Sequence, residues 1–237
     1  MLKVKNVTKK FGALAAVNDL SFDVSKGQVF GIAGPNGAGK STLYNLITGF
    51  YKFEGEIEFD GKSISGLPTH KIARLGISRT FQIPQIFESM TVEESVNLGC
   101  RFGNIGKYDP RYSDEIISFT SLKEERRNKT DLLNLLGKKR LMIAAAMATK
   151  PKILMVDEPM AGLNTFEIKE MTALIKKINQ EIGITVIIIE HFMKVLTELA
   201  NPILVIENGS EICTGTPEEI TSNPEVIACY LGDTHDA

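Results

Sequence analysis

The sequence predicts an α/β fold: a parallel core, antiparallel strands at the N-terminus and an inserted helical lobe. Three observations lead there. A glycine-rich loop sits between an apolar strand-like run and a helix-like run. Two later runs, Ile153–Val156 and Thr185–Ile189, are apolar on both faces, as central parallel strands must be, and each leads into a helical pattern. Between about Thr91 and Thr149 the strand signal nearly vanishes.

The loop is Gly34-Pro35-Asn36-Gly37-Ala38-Gly39-Lys40-Ser41-Thr42, which matches G-x-x-x-x-G-K-[ST]. Val29–Ala33 before it reads as a strand and Leu43–Ile47 after it as a helix. That context gives the motif its chemistry. Glycines let backbone N–H groups turn inward around phosphate oxygens, at the positive end of a helix. Lys40 then meets the β- and γ-phosphates, and the Ser41 hydroxyl ligates Mg²⁺.

The remaining elements follow in order. Leu2–Val7 alternates, Leu20–Val24 follows, and Glu54–Phe59 alternates after the first helix, all as strands. Thr91 opens a helix with a threonine cap and an acidic first turn, Glu93-Glu94. Glu115–Phe119 and Leu132–Ala148 are helical by period, with Leu132, Leu136, Ile143 and Met147 as an apolar stripe. Strand-then-helix patterns recur at Ile153–Lys177 and Ile184–Leu199. Ile203–Glu207, the turn Asn208-Gly209 and Glu211–Thr214 form a hairpin signal. One domain results, with residues 1–81 and 150–237 as the nucleotide-binding core and residues 82–149 as the helical lobe.

Composition excludes several classes. The chain has 237 residues, enough for a full core, and a net charge of −2 that gives no argument for nucleic-acid binding. Arg126-Arg127 and Lys138-Lys139-Arg140 are short basic clusters, read as solvated surface. Apolar stretches such as Ile184–Ile189 fall far short of the ~20 residues that span a bilayer. The N-terminus shows no charged-then-apolar leader. Cys100, Cys213 and Cys229 are unpaired by spacing and read as buried free thiols in a reducing compartment. His70, His191 and His235 are too scattered for a metal cluster. A cytoplasmic protein is expected, unless a partner holds it at a membrane.

The second half of the nucleotide site comes from strand ends. Ile153–Val156 runs into Asp157 and Glu158. An acid at this position holds Mg²⁺ in phosphate-loop enzymes, which suits Asp157, while Glu158 can act as general base on the attacking water. Ile189-Glu190-His191 puts a histidine at the end of the next strand, able to hydrogen-bond near the γ-phosphate. The Gln82 amide can contact Mg²⁺ or the water, or sense a neighbouring surface.

With these motifs in this order, the chain resembles the ATP-binding subunits of ABC transporters along essentially its whole length. The resemblance makes Phe11 the adenine-stacking aromatic, Gly34–Thr42 the Walker A loop and Gln82 the Q-loop residue. It likewise makes Asp157 and Glu158 the Walker B acids and His191 the switch histidine. Arg79-Thr80-Phe81-Gln82, Asp157–Asn164, Ile189-Glu190-His191 and Val226–Gly232 are similar to the larger ATPase type of branched-chain amino-acid uptake. Urea, amide and lipopolysaccharide-export ATPases share much of this. A soluble ABC ATPase and a weakly hydrolysing regulatory subunit also remain open.

The resemblance breaks at the L-S-G-G-Q signature, whose place is taken by Leu133-Asn134-Leu135-Leu136-Gly137. Leucine adds apolar bulk where a glycine lets backbone N–H groups approach a phosphate. Asn134 can still cap the helix and donate its amide, and the leucines read as helix stripe. Asn164 stands where many members of the family have Asp. The resemblance implies ATP and Mg²⁺ as ligands, transmembrane permease partners and, indirectly, an extracytoplasmic solute-binding protein. It also implies a second ABC ATPase, and the eroded signature favours a heterodimer over a homodimer. The expected place is peripheral, on the inner face of the cell membrane. Docking is expected near Gln82–Ser89, where Ile83-Pro84-Gln85-Ile86-Phe87 is either an apolar display or a buried loop.

Overall fold

Alternation in the first strand is interrupted at Asn6, and the backbone shows why. A computed structural model describes residues 1–103 and 110–231. In it β1 (Leu2–Phe11) buries Leu2, Val4 and Val7, with a register shift between Val4 and Val7. Asn6 takes a left-handed φ of 49°, which absorbs one residue and returns Val7 to the core face. β2 (Leu14–Val24) pairs antiparallel with β1 after a turn at Gly12, φ 61°. Both strands extend beyond the apolar runs that announced them, because Lys9 and Lys10 pair with Val17 and Ala15 on the ladder without contributing to the alternating pattern.

β3 (Val29–Ala33) feeds the loop, and α1 (Lys40–Ile47) follows it. β4 (Glu54–Phe59) and β5 (Lys62–Ser63) complete a four-stranded antiparallel sheet in the order β2-β1-β4-β5. Then come α2 (Thr69–Leu75), β6 (Ile77–Arg79), α3 (Val92–Phe102), α4 (Pro110–Phe119), a 3-10 turn at Thr130–Leu132, and α5 (Leu135–Ala148). The chain continues through β7 (Ile153–Asp157), α6 (Thr165–Gln180), β8 (Thr185–Ile189) and α7 (Met193–Leu199). β9 (Ile203–Glu207), β10 (Ser210–Gly215), α8 (Pro217–Ser222) and α9 (Pro224–Leu231) end the described chain. Gly232, part of the expected C-terminal motif, lies outside the described residues.

The chain divides into two compact units. The first comprises residues 1–69 and 185–237. Besides the antiparallel sheet it holds β3 flanked by parallel β8 and β9, with β10 antiparallel to β9. β3 and β8 are almost wholly buried, which is why their sequences are apolar on both faces. Gly31 in β3 lets α7 pack close, since a Cβ there would lie 3.0 Å from that of Ala200 and 3.1 Å from Leu196 Cδ1. Asn208 and Gly209 both have positive φ and close the β9–β10 hairpin.

The second unit comprises residues 70–184, with β6 parallel to β7 and the helices α3 to α6. Thr91 caps α3 in a reciprocal box with Glu94, as the sequence predicts. α5 starts three residues later than its period predicts. Asn134 caps it, and the preceding residues close a 3-10 turn that leaves Leu132 73% exposed, outside the stripe formed by Leu136, Ile143 and Met147. The basic clusters are solvated surface only in part: Arg127 is exposed, but their neighbours are engaged. Arg126 is paired with both Glu93 and Asp114, Arg140 with Glu170, and Lys139 is buried. Cys100 and Cys229 are buried thiols as predicted, whereas Cys213 is only half-buried; burial, aided by Glu211, pushes that thiol's pKa up. Among the described residues no helix is long and apolar enough to cross a membrane.

Candidate functional site

Phe11, the loop from Gly34 to Thr42, and His191 belong to the first unit; Gln82, Leu133–Gly137, Asp157 and Glu158 belong to the second.

The loop is shaped by three glycines at positive φ: Gly34 (147°), Gly37 (80°) and Gly39 (103°). Two also allow close approach. A Cβ on Gly34 would sit 2.1 Å from the Ile206 carbonyl oxygen, and one on Gly39 2.1 Å from that of Ala16. No side chain but hydrogen fits either position. Lys40 is buried, and its Nζ donates to the carbonyls of Gly34 (2.6 Å) and Pro35 (2.8 Å), curling the loop around its own cation. α1 begins after Gly39 with no side-chain cap. Its first-turn N–H groups and the Lys40 ammonium therefore offer positive potential to the same small volume, which suits a phosphate chain. Asn36, Gly37 and Ser41 are exposed at the rim. On the far side of α1, Tyr44 donates its hydroxyl to the Ile187 carbonyl at 2.7 Å and fixes the helix to β8.

Phe11, at the end of β1, is 44% exposed and meets Tyr51 edge-on at 5.3 Å. Lys9 Nζ lies 4.9 Å from the Phe11 ring centre. One face of an aromatic ring braced in this way can stack on a base. His191, half-buried, follows the last residues of β8 and precedes the exposed Phe192 that opens α7.

In the second unit, the acids at the end of β7 are strongly constrained. Asp157 is buried with its Oδ2 3.4 Å from Arg79 Nη2, and its N–H donates to Thr80 Oγ1 at 3.3 Å. Glu158 adopts φ 45°, an uncommon left-handed conformation for a non-glycine residue that costs on the order of 1–3 kcal/mol. Two bonds hold it there. Lys139 Nζ donates to its backbone carbonyl at 2.9 Å, and Gln82 Nε2 donates to its Oε2. Gln82 and Glu158, distant in sequence, are thereby brought together. The Gln82 carbonyl oxygen takes no part in that bond. Arg79 and Lys139 were not among the expected site residues. The only signal for Lys139 is its position on α5, one turn after the cap, and burial is invisible in a Lys-Lys-Arg run.

The signature-equivalent segment spans the cap and the first residues of α5. Asn134 Oδ1 accepts the Gly137 N–H at 2.8 Å, so the side chain caps as an acceptor. Leu133 and Leu136 are buried, whereas Leu135 is 37% exposed. Leu135 covers Gly162: a Cβ there would come within 2.9 Å of Leu135 Cδ2. Asn164 caps α6 in a reciprocal box with Glu167. The Ile83–Phe87 segment is an exposed display, with Ile83 and Phe87 both largely open to solvent. Among the described residues, no group of His, Cys, Asp and Glu side chains forms a metal cluster of its own.

Comparison with known proteins places these features in a family. The family model described as ABC transporter matches residues 17–161, and that described as branched-chain amino acid ATP-binding cassette transporter matches residues 211–236. BraF of Pseudomonas aeruginosa, a high-affinity branched-chain amino acid transport ATP-binding protein, is 41% identical over 250 residues, covering 98% of each chain. The ADP conformation of MJ1267, an ATP-binding cassette of an ABC transporter, superposes with a TM-score of 0.88 at 31% identity over 98% of each chain. The ATP-binding cassette MJ0796, a dimer in a post-hydrolysis state bound to ADP and Pi, gives 0.82 at 27% identity over 92% of this chain and 99% of its own. The chain belongs to the ABC transporter family, and its fold is that of the ATP-binding cassette.

Proposed function

We propose that this chain is the ATP-binding and ATP-hydrolysing subunit of an ABC importer, powering uptake of branched-chain or related amino acids through partner permeases. The observation that carries this reading is the Val29–Ile47 strand, loop and helix, with Lys40 held in the curl of the loop. It occurs in a chain that is similar over 98% of its length to a branched-chain amino acid transport ATP-binding protein.

In this reading Gly34–Thr42 wraps the phosphates, Lys40 leaves the loop carbonyls for the β- and γ-phosphates, and Phe11 lies against adenine. The oxygen donors fit Mg²⁺: the exposed Ser41 hydroxyl, the Asp157 carboxylate and the Gln82 amide oxygen are the hard ligands such an ion prefers. Bound there, Mg²⁺ would neutralise charge on the phosphates. Glu158 takes the proton of the attacking water, and Gln82 and Lys139 hold it in place for that purpose. His191 orients the same water near the γ-phosphate. Positioning and charge stabilisation supply most of the acceleration.

Residues 82–149 act as the helical lobe, and exposed Ile83 and Phe87 provide its docking surface for a permease, holding the subunit at the inner membrane face. A solute-binding protein delivers cargo on the other side. MJ0796 is a dimer with ADP and Pi, and a second ATPase is expected here too. Asn134 is committed to capping and Leu133 and Leu136 to packing, which favours a heterodimer whose partner supplies an intact signature.

Hydrolysis by the purified chain should be slow, and addition of the partner ATPase should raise it. Robust, cooperative hydrolysis by the chain alone would remove the heterodimer. Unchanged ATP binding by Lys40→Ala would remove the nucleotide site itself.

A further inference from the structure

We propose that Tyr230, on α9, is a positioning residue for the phosphate loop, so that the C-terminal helix sets how tightly the loop holds its nucleotide. The inference rests on the nucleotide-site reading above and adds a residue and a helix to it.

The Gly34 N–H donates to the Tyr230 hydroxyl at 2.8 Å, across almost the full length of the chain. Gly34 is buried and is the first residue of the loop. Its carbonyl accepts the Lys40 ammonium at 2.6 Å, so Tyr230 and Lys40 hold the two sides of one residue. With φ at 147° and the Ile206 carbonyl closing the space a Cβ would need, nothing but backbone and hydrogen bonds sets the orientation of Gly34. Losing the Tyr230 bond leaves a buried N–H without its partner and frees the adjoining peptide to rotate. The direction of the Lys40 carbonyl acceptor and the path into the loop then become less ordered. A less preorganised loop binds its ligand more weakly.

The helix is built to deliver this hydroxyl at a fixed point. Asn223 Oδ1 accepts the N–H of Glu225 and Val226, setting the start of α9. Val226 and Cys229 are buried and seat it. Tyr230 is half-buried beside an apolar groove that Met193, Ile220 and Val226 also line, while its oxygen reaches Gly34. Removing the oxygen alone therefore leaves the packing in place.

The test is isothermal titration of the full-length chain with Mg²⁺-ATP and Mg²⁺-ADP. Tyr230→Phe should weaken both roughly three- to tenfold, the worth of one hydrogen bond, with little change in the nucleotide-free melting temperature. Tyr230→Ala should show at least the same loss of affinity together with a clear fall in melting temperature. In the hydrolysing complex, Tyr230→Phe should raise KM for ATP and leave kcat unchanged, a split that a general loss of packing would not produce. Wild-type affinity in Tyr230→Phe, beside weak binding by Lys40→Ala, overturns the proposal alone. Tight binding by Lys40→Ala, or no binding by the wild type, overturns the nucleotide site and the proposal with it.

Discussion

Restoring the family's glycines in the eroded signature should damage the protein at one position and spare it at the next. Leu136 is 6% exposed in the first turn of α5. Replacing it with glycine removes about 2–3 kcal/mol of buried side chain and residual packing. Glycine within a helix adds about 1 kcal/mol. The sum is about 3–4 kcal/mol. For a chain of this size that corresponds to a fall in melting temperature of roughly 6–16 °C. Leu135 is 37% exposed, with its Cδ2 lying over Gly162. Leu135→Gly should cost about 1–2 kcal/mol, most of it backbone entropy. Thermal and urea unfolding of the two single variants, without nucleotide, provide the comparison. Equal losses, or a Leu136→Gly melting point within about 2 °C of wild type, would refute the argument that leucine is held here by packing.

Glu158→Gln keeps an oxygen for Gln82 and the Lys139 contact to the backbone, so ATP binding should persist while turnover falls at least ~100-fold. An unchanged turnover number would remove Glu158 from the role of base. Burial, reinforced by the charges of Cys100 and Glu115, pushes the Tyr112 phenol up to about 12, while its hydroxyl donates to the Met147 carbonyl at 3.1 Å. The folded state thus retains this proton where the unfolded phenol, near 10, has lost it. The stabilisation is complete below about pH 10 and disappears as pH rises from there towards 12. Ultraviolet titration should show a late phenolate in the folded protein that is lost in Tyr112→Phe.

Much of the candidate site was legible because the chemistry proposed for it demands particular residue types at short spacing. A backbone that must turn inward around phosphate needs Gly34, Gly37 and Gly39 next to Lys40 and Ser41, whatever surrounds them. The central strands were legible because burial on both faces requires continuous apolar runs at Ile153–Val156 and Thr185–Ile189. β1 and β2 were only half visible. Their outer ends are held by ladder hydrogen bonds, which leave no trace in polarity.

What remained hidden were contacts between residues far apart in sequence. The bonds of Gln82 and Lys139 to Glu158, and of Tyr230 to Gly34, join positions with no periodic relation. Lys139 read as surface because a Lys-Lys-Arg run has the same composition whether solvated or buried. The sequence by itself therefore determined the kind of molecule, its glycine-rich loop and its strand-end acids, since local backbone geometry and charge dictate those. Only the tertiary structure decided which side chains brace the loop and Glu158, and that Leu136 is held by packing while Leu132 is not. Burial and hydrogen bonding depend on where the folded chain brings distant residues together, and no local pattern encodes that.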